Sequence, residues 1–297
     1  MREEVFIARD GKHLICTLWD NVKKPIGVVQ IIHGMDEHVG RYDRFARFMN
    51  QHGYIVFGDD HRAHGRTAVN ISRIGKTDGQ KDLFAATERD ELDIMHYLKK
   101  RYGLPLFLFG HSYGSFITQR LMEEKGICSA GVCLSGSAKY PEWMTVVARV
   151  IAWIGMKIWG ADAPARFIEF FSPIRSRKNG ESRLSRDPVQ IAAHNADPMR
   201  AKNFSYGFYY SLFKNLMHLH QRACPETPLL IISGANDMVS LNGRFSKSLY
   251  RAYQLHDMQN LTMIIYPDAR HELLMDLNYR DVQNDILAFF NAAIAKK

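Results

Sequence analysis

Short apolar runs alternate with amphipathic stretches along most of the chain. The runs have the length of buried strands and are bounded by Gly, Pro or Asp. They lie at residues 27–32, 54–57, 106–109, 130–134, 228–232 and 261–266. Between them, residues 83–101 place Leu92, Met95 and Leu98 on one face, which predicts an amphipathic helix that ends near Gly103. This alternation predicts an α/β fold with a mostly parallel sheet of about eight strands, flanked by helices on both faces.

The alternation stops between Gly136 and about Ser205, over a stretch too long for a simple connection. Within it, residues 143–159 follow a helical pattern, are mostly apolar and hold three of the chain's four tryptophans. Arg149 and Lys157 interrupt this segment, so we do not expect it to span a membrane. We expect a helical cap over residues 137–205, inserted into an α/β core formed by residues 1–136 and 206–297.

The pentapeptide Gly110-His111-Ser112-Tyr113-Gly114 directly follows one of the strand-like runs. A strand that turns sharply into a helix leaves the central residue of such a pentapeptide strained, with its side chain pushed outward. Both glycines are needed, because a Cβ at either position would collide with the neighbouring strand or helix. We therefore expect Ser112 to be a nucleophile at a strand–helix turn.

A nucleophilic serine needs a base and an orienting acid, which follow it in the order Asp or Glu, then His. Asp237 and His271 each come a few residues after a strand-like run, at the edge where open α/β sheets place their sites. We expect these two residues to complete a triad with Ser112.

Other residues compete for the roles of acid and base. Asp268 and Asp276 lie near His271 in sequence, but only Asp237 follows a buried strand of its own. We expect the other two aspartates to be solvated loop or cap residues. His218 and His256 are expected at the surface or in helices.

Two backbone amides should bind the oxyanion that forms when the serine attacks. One is the N–H of Tyr113, the residue after the nucleophile. The other is expected from Met35, in the loop after residues 27–32, where Gly34 lets the backbone approach the site. The alternative is that His33 and Gly34 form only a strand-ending turn.

Composition limits the environment and the partners. The four cysteines form no C-x-x-C pair, and we expect all of them to be reduced; they are Cys16, Cys128, Cys133 and Cys224. The first residues carry charges where a signal peptide needs an apolar core, so we expect a cytoplasmic protein. The net charge of +8 favours contact with anionic surfaces, membranes before nucleic acid, although ordinary solubility charge explains it equally well.

No zinc spacing, P-loop or nucleic-acid motif is present, so no metal, cofactor or nucleic acid is expected. His61 and His64 could suggest a metal pair, but we expect a hydrogen-bond network in a loop. The oligomeric state is not indicated by the sequence.

As a set, these motifs resemble the monoacylglycerol lipase and lysophospholipase branch of the α/β-hydrolases, the serine aminopeptidase-type group. The resemblance covers about residues 10–290 and is carried by residues 33–38, 110–114, 234–237 and 271–272, with residues 59–66 and 194–198 also similar. It implies the α/β-hydrolase fold with an inserted cap. It also implies a nucleophile, an acid, a base and two oxyanion amides at Ser112, Asp237, His271, Met35 and Tyr113.

The expected function is hydrolysis of carboxylic esters with medium or long acyl chains, such as monoacylglycerols or lysophospholipids, without a cofactor. One alternative is a short-chain carboxylesterase, because Met35 and Asp36 stand where the family commonly has a small residue and Gly. A non-catalytic ligand-binding hydrolase fold would require a broken triad. The apolar cap is interpreted as an acyl-chain tunnel, as an interfacial helix at a lipid surface, or as simple packing, and the basic segment 175–180 could lie near anionic headgroups.

Overall fold

The computed structural model of the protein describes residues 1–123, 128–171, 182–224 and 226–295. The basic segment 175–180 lies outside these ranges. A single sheet of eight strands runs through the described residues, in the order β1-β2-β4-β3-β5-β6-β7-β8. The strands are β1 (Arg2–Ile7), β2 (His13–Trp19), β3 (Gly27–Ile32), β4 (Tyr54–Asp59), β5 (Leu106–His111), β6 (Gly131–Ser135), β7 (Leu229–Gly234) and β8 (Leu261–Tyr266).

The sheet is mostly parallel, as predicted. The two antiparallel pairs are β1 with β2 and β2 with β4, and the pairs from β4 to β8 are all parallel. Strands β3 to β7 are buried at every position. Helices cover both faces of the sheet, so neither face of these strands is exposed to water. The carboxyl ends of the parallel strands therefore lie along one edge of the sheet.

Nine named helices accompany the sheet in the described residues. They are α1 (Asp43–Gln51), α2 (Leu83–Tyr102), α3 (Tyr113–Glu123), α4 (Glu142–Trp159), α5 (Arg166–Phe171), α6 (Pro188–Ala196), α7 (Tyr206–Leu216), α8 (Arg244–Leu255) and α9 (Tyr279–Ala295). Helices α2, α3, α7 and α8 bury apolar side chains in a core on one face of the sheet, and α1 and α9 do so on the other. Helix α2 begins where Asp82 caps the N–H of Ala85, and it ends at Gly103, whose φ is +62°.

The first three helices after β6 lie where the β/α alternation stops in the sequence. Helix α4 packs against α7, and Pro164 pairs with Ser205 where the chain returns to the core. Helix α7 ends at Leu216. Beyond it, exposed His218 and His220 alternate with buried Leu219 and Gln221, which is the pattern of an extended segment. The division into residues 1–136, 137–205 and 206–297 stays a proposal.

The prediction that all four cysteines are reduced is wrong for two of them. Cys128 and Cys224 form a disulfide, with 5.7 Å between their Cα atoms. The bond joins the segment before β6 to the segment before β7, at the end of the sheet opposite the carboxyl ends of these strands. Cys16 and Cys133 are free and buried, as expected. Across the described ranges, no helix has both the length and the apolar character needed to cross a membrane.

Candidate active site

Ser112 occupies the turn between β5 and α3, with a φ of +49°. This left-handed conformation is costly for a residue with a side chain, and such strain is concentrated at functional sites. The Ser112 N–H donates to the carbonyl of Ser135 at 2.9 Å, which ties the turn to β6. A Cβ on Gly114 would overlap the carbonyl oxygens of Ile32 and His33, so only glycine allows α3 to approach β3 this closely.

The structure brings Ser112, His271 and Asp237 into one hydrogen-bonded chain. His271 Nε2 lies 2.9 Å from Ser112 Oγ, and His271 Nδ1 lies 3.0 Å from Asp237 Oδ2. Asp237 Oδ1 accepts hydrogen bonds from the backbone N–H groups of Val239 at 2.8 Å and Ser240 at 3.4 Å. The three side chains come from loops after β5, β7 and β8, at the carboxyl edge of the sheet.

The electrostatic interaction between Asp237 and His271 favours the protonated form of His271. Burial alone would raise the pKa of Asp237, but the charge and hydrogen bond of His271 lower it below its ordinary value. Burial alone would lower the pKa of His271, yet Asp237 raises it above the ordinary value of a histidine. An imidazole placed this way is able to accept a proton from Ser112 Oγ, and the carboxylate would stabilise its charged form.

The competing residues lie elsewhere. Asp268 is exposed in the loop after β8, and His218 and His256 are exposed as well. Asp276 is fully buried, which differs from the expected solvated position. Its carboxylate accepts hydrogen bonds from Arg186 and from the N–H of Arg270, so it joins the segment before α6 to the loop that carries His271.

The loop after β3 runs beside Ser112. A Cβ on Gly34 would lie 3.2 Å from Ser112 Cβ and 3.0 Å from the His111 ring, so glycine allows this close approach. The N–H of Gly34 donates to Glu37 Oε1 at 2.6 Å. The backbone N–H groups of Met35 and Tyr113 find no acceptor among the described residues, which leaves both donors available to a ligand.

An apolar cavity of about 470 Å³ reaches Ser112. Its walls come from the core, from α4 and α7, and from the segment after β7. They include Met35, Tyr113, Phe116, Met144, Ala148, Leu212 and Phe245. Met144 and Ala148 also line a second apolar cavity of about 470 Å³ between α4 and α5, with Trp143, Val147, Ile151, Phe167 and Ile168. Residues of the predicted cap thus supply apolar walls for the cavity that reaches Ser112.

Sequence reasoning missed polar contacts that join the loop after β3 to the segment after α6. Asp36, directly after Met35, binds Arg200 at 2.9 Å, and His38 binds Asp197 at 2.9 Å. These partners are about 160 residues apart in the chain, and no local pattern relates them. The family resemblance includes segment 194–198, but it does not predict the contact of Asp197 with His38.

A second missed pair involves Glu272, the residue after His271. Arg41 binds Glu272 with two hydrogen bonds of 2.8 and 2.9 Å and also contacts Glu37 at 2.9 Å. Burial alone would raise the pKa of Glu272, but the Arg41 charge holds it far below its usual range. The loop after β3 and the loop that carries His271 are therefore joined by a buried ion pair.

The described residues contain two groups with the spacing of metal ligands. In one, the sulfurs of Cys128 and Cys224 are already bonded to each other. In the other, Nδ1 of buried His61 forms a hydrogen bond with Asp59 at 3.0 Å and lies 3.0 Å from Glu91 Oε1, while Nε2 lies 3.2 Å from the carbonyl oxygen of His33. His61 therefore takes part in a loop hydrogen-bond network, as the sequence indicated.

The eight-stranded sheet and the strained serine between β5 and α3 define an α/β-hydrolase. Comparison with known proteins agrees. A model of the family described as serine aminopeptidase, S33, matches residues 23–278. The chain therefore belongs to the S33 serine aminopeptidase family.

Individual relatives are similar over nearly the whole chain. Human monoglyceride lipase is 28% identical over 293 residues, which is 97% of this chain and 88% of the relative. The monoacylglycerol lipase of Mycolicibacterium smegmatis is 27% identical over 291 residues, 97% of this chain and 96% of the relative. A thermostable carboxyl esterase from Bacillus coagulans superposes with a TM-score of 0.84 at 25% identity, covering 99% of this chain and 98% of the other.

These findings confirm the predicted fold, the resemblance to monoglyceride lipases and the class of enzyme, a carboxylic ester hydrolase.

Proposed function

We propose that the protein hydrolyses esters of medium or long acyl chains, with monoacylglycerols as the favoured substrate class and lysophospholipids as the related one. The observation that carries this proposal is the apolar cavity of about 470 Å³ that contains Ser112. Ligand sites of this kind are mostly apolar, with a few polar groups at the reacting end. The similarity to monoglyceride lipases supports the same substrate class.

The proposed mechanism uses three side chains and two amides. His271 accepts the Ser112 proton as Oγ attacks the ester carbonyl, while Asp237 holds the imidazole with its proton on Nδ1. The N–H groups of Met35 and Tyr113 stabilise the oxyanion. Protonated His271 then donates to the leaving alcohol, and water repeats the sequence to release the fatty acid from Ser112.

The alternative of a short-chain carboxylesterase requires Met35 and the cap to close the cavity. Met35 does line the wall, but about 470 Å³ remains between it and the cap residues Met144 and Ala148. Each methylene that enters such a cavity contributes about 0.8 kcal/mol, which favours longer chains by about fourfold per carbon. The open cavity therefore favours the longer acyl chain.

The nucleophile is tested by release of fatty acid from a monoacylglycerol and by labelling with a fluorophosphonate. We expect Ser112→Ala to lower kcat by about 10⁶-fold and to abolish labelling. Ser248→Ala on the exposed side of α8 is the matched control and should change neither. Labelling that survives Ser112→Ala would show that another residue is the nucleophile.

We further propose that the cap contacts lipid surfaces. Helices α4 and α5 expose a cluster of large apolar side chains, with Trp143 68%, Ile158 63% and Phe170 79% exposed. Exposed apolar clusters are typical of interaction surfaces. The net charge of +8 would favour a surface that carries anionic lipids. Trp143 of this cluster also lines the cavity between α4 and α5, and Met144 and Ala148 line both that cavity and the one that reaches Ser112, so a lipid could pass from a surface toward Ser112.

Co-sedimentation with anionic vesicles tests this contact. We expect the wild type to pellet at low salt and the double variant Trp143→Ser, Phe170→Ser to remain largely in solution. Leu255→Ser removes an exposed apolar residue from α8 and should pellet like the wild type. If the wild type stays in the supernatant at low salt, the cap is not a lipid-binding surface.

A further inference from the structure

His33 lies at the start of the loop after β3, fully buried, and takes no part in the Ser112–His271 proton transfer. Both of its ring nitrogens have partners that can act in only one way. The backbone N–H of His61 donates to His33 Nε2 at 3.0 Å, and His33 Nδ1 lies 2.7 Å from the carbonyl oxygen of Gly34.

These two partners determine the tautomer of His33. A backbone N–H can only donate, so Nε2 must be unprotonated; a carbonyl oxygen can only accept, so Nδ1 must carry the proton. The ring is therefore neutral and donates to Gly34. Burial, with the nearby His61 and His64, agrees with this state because it lowers the pKa of His33 well below the ordinary value.

The bond to Gly34 orients the next peptide unit. The carbonyl of Gly34 and the N–H of Met35 belong to one planar group, and none of the described peptide bonds is cis. In a planar trans peptide, these two bonds point in opposite directions. With its oxygen held by the His33 ring, this peptide directs the Met35 N–H away from that ring, and Met35 lines the cavity together with Ser112.

The His33 ring is itself held from behind. His61 stacks on it with 3.8 Å between the ring centroids, and His61 Nε2 lies 3.2 Å from the His33 carbonyl. Asp59 forms a hydrogen bond with the other nitrogen of His61, Glu91 Oε1 lies 3.0 Å from the same nitrogen, and Gln30 donates to Glu91 Oε2 at 2.7 Å. The support thus extends from β4 and α2 to the loop, so His33 has little freedom to turn.

We propose that His33 is a positioning residue for ester hydrolysis, which fixes the Gly34–Met35 peptide so that the Met35 N–H faces the developing oxyanion. This inference rests on the proposed function, because it assumes that Met35 supplies one of the two oxyanion donors. It adds a residue outside the triad whose tautomer is necessary for transition-state binding.

Two variants of similar size isolate the Nδ1 donor. His33→Asn places an amide nitrogen near the position of Nδ1 and can still donate to Gly34, whereas His33→Leu cannot donate. Both variants lose the Nε2 acceptor and the stacked ring, so these losses cancel in the comparison. Removing an oxyanion donor outright lowers kcat by about 10²- to 10³-fold. In His33→Leu the Met35 N–H is still present but no longer held in place, so we expect the kcat of this variant to be about 10- to 100-fold below that of His33→Asn.

A purely structural role predicts a different pattern. If His33 acts through the oxyanion, KM stays similar, while kcat and the affinity for a trifluoromethyl ketone with the same acyl chain fall by the same factor. Equal kcat and equal ketone affinity in the two variants would overturn the proposal. The proposed function would survive that outcome if Ser112→Ala were inactive, so the two failures can be distinguished.

A measurement on the wild type covers the case in which a variant does not fold. Nitrogen-15 NMR of the labelled imidazoles reports which ring nitrogen carries the proton. We expect His33 to be protonated on Nδ1 alone across a pH range of about 5 to 9. A ring protonated on Nε2 could not accept from His61 or donate to Gly34, and this result would contradict the proposal.

Discussion

Replacement of Asp237 by Asn tests how the proposed triad controls the position of the His271 proton. Asp237 Oδ1 accepts hydrogen bonds from the backbone N–H groups of Val239 and Ser240, at 2.8 and 3.4 Å. Any atom that replaces Oδ1 must therefore be a hydrogen-bond acceptor. In the Asp237→Asn variant, the amide oxygen must occupy this position, and the amide NH₂ then faces His271 Nδ1, which lies 3.0 Å from the carboxylate in the wild type. Nδ1 has to accept, which moves the ring proton to Nε2.

A proton on Nε2 points at Ser112 Oγ, 2.9 Å away, where the base needs a lone pair. We therefore expect Asp237→Asn to lower kcat by about 10⁴-fold at neutral pH, which corresponds to about 5.5 kcal/mol in the barrier. The variant also loses the charge that raises the pKa of His271. Since the base acts when neutral, the wild type loses activity as the pH falls through this raised pKa, and the acid limb of the variant should move to lower pH.

The assay is kcat for a soluble p-nitrophenyl ester over a range of pH, with thermal unfolding as a check on folding. Asp268→Asn is the matched control, because Asp268 is exposed and its φ of +58° suits Asn equally well. A folded Asp237→Asn enzyme that keeps more than about a tenth of the wild-type kcat would refute this account of the tautomer.

Two further predictions concern the cavity and the disulfide. Ala148 lines both apolar cavities, so Ala148→Phe should move the optimum to shorter acyl chains, with kcat/KM falling about fourfold for each methylene displaced. An unchanged optimum would show that the acyl chain binds elsewhere. Replacing Cys128 and Cys224 by Ser opens a loop with a sequence separation of 96 and should lower the free energy of unfolding in urea by about 4–5 kcal/mol. An unfolding midpoint that is the same with and without a reductant in the wild type would contradict this.

The sequence indicated the sheet and the positions of the site loops because their signals are local. A buried strand followed by Gly110-His111-Ser112-Tyr113-Gly114 predicts its own geometry, since the glycines and the strained serine are required within five positions. Asp237 could be preferred to Asp268 for a similar reason, because it follows a strand that is buried at every position.

The parts that escaped prediction depend on contacts between distant segments. The Cys128–Cys224 bond joins residues that no spacing rule relates, so the reduced state was the default expectation. Asp276 looked like a solvated aspartate, but Arg186 covers it from a segment 90 residues earlier. The ion pair of Asp36 with Arg200 and the hydrogen bond between the His33 ring and Gly34 likewise become visible only in the folded structure.

The most direct test of the account is the hydrolysis rate across p-nitrophenyl esters from acetate to palmitate, with Ser112→Ala as the blank. One series examines both the nucleophile and the apolar cavity that contains it. The account predicts a maximum at medium or long chains in the wild type and no enzymatic rate in the blank. A maximum at acetate or butyrate with a steep fall beyond it, or a blank as active as the wild type, would contradict it.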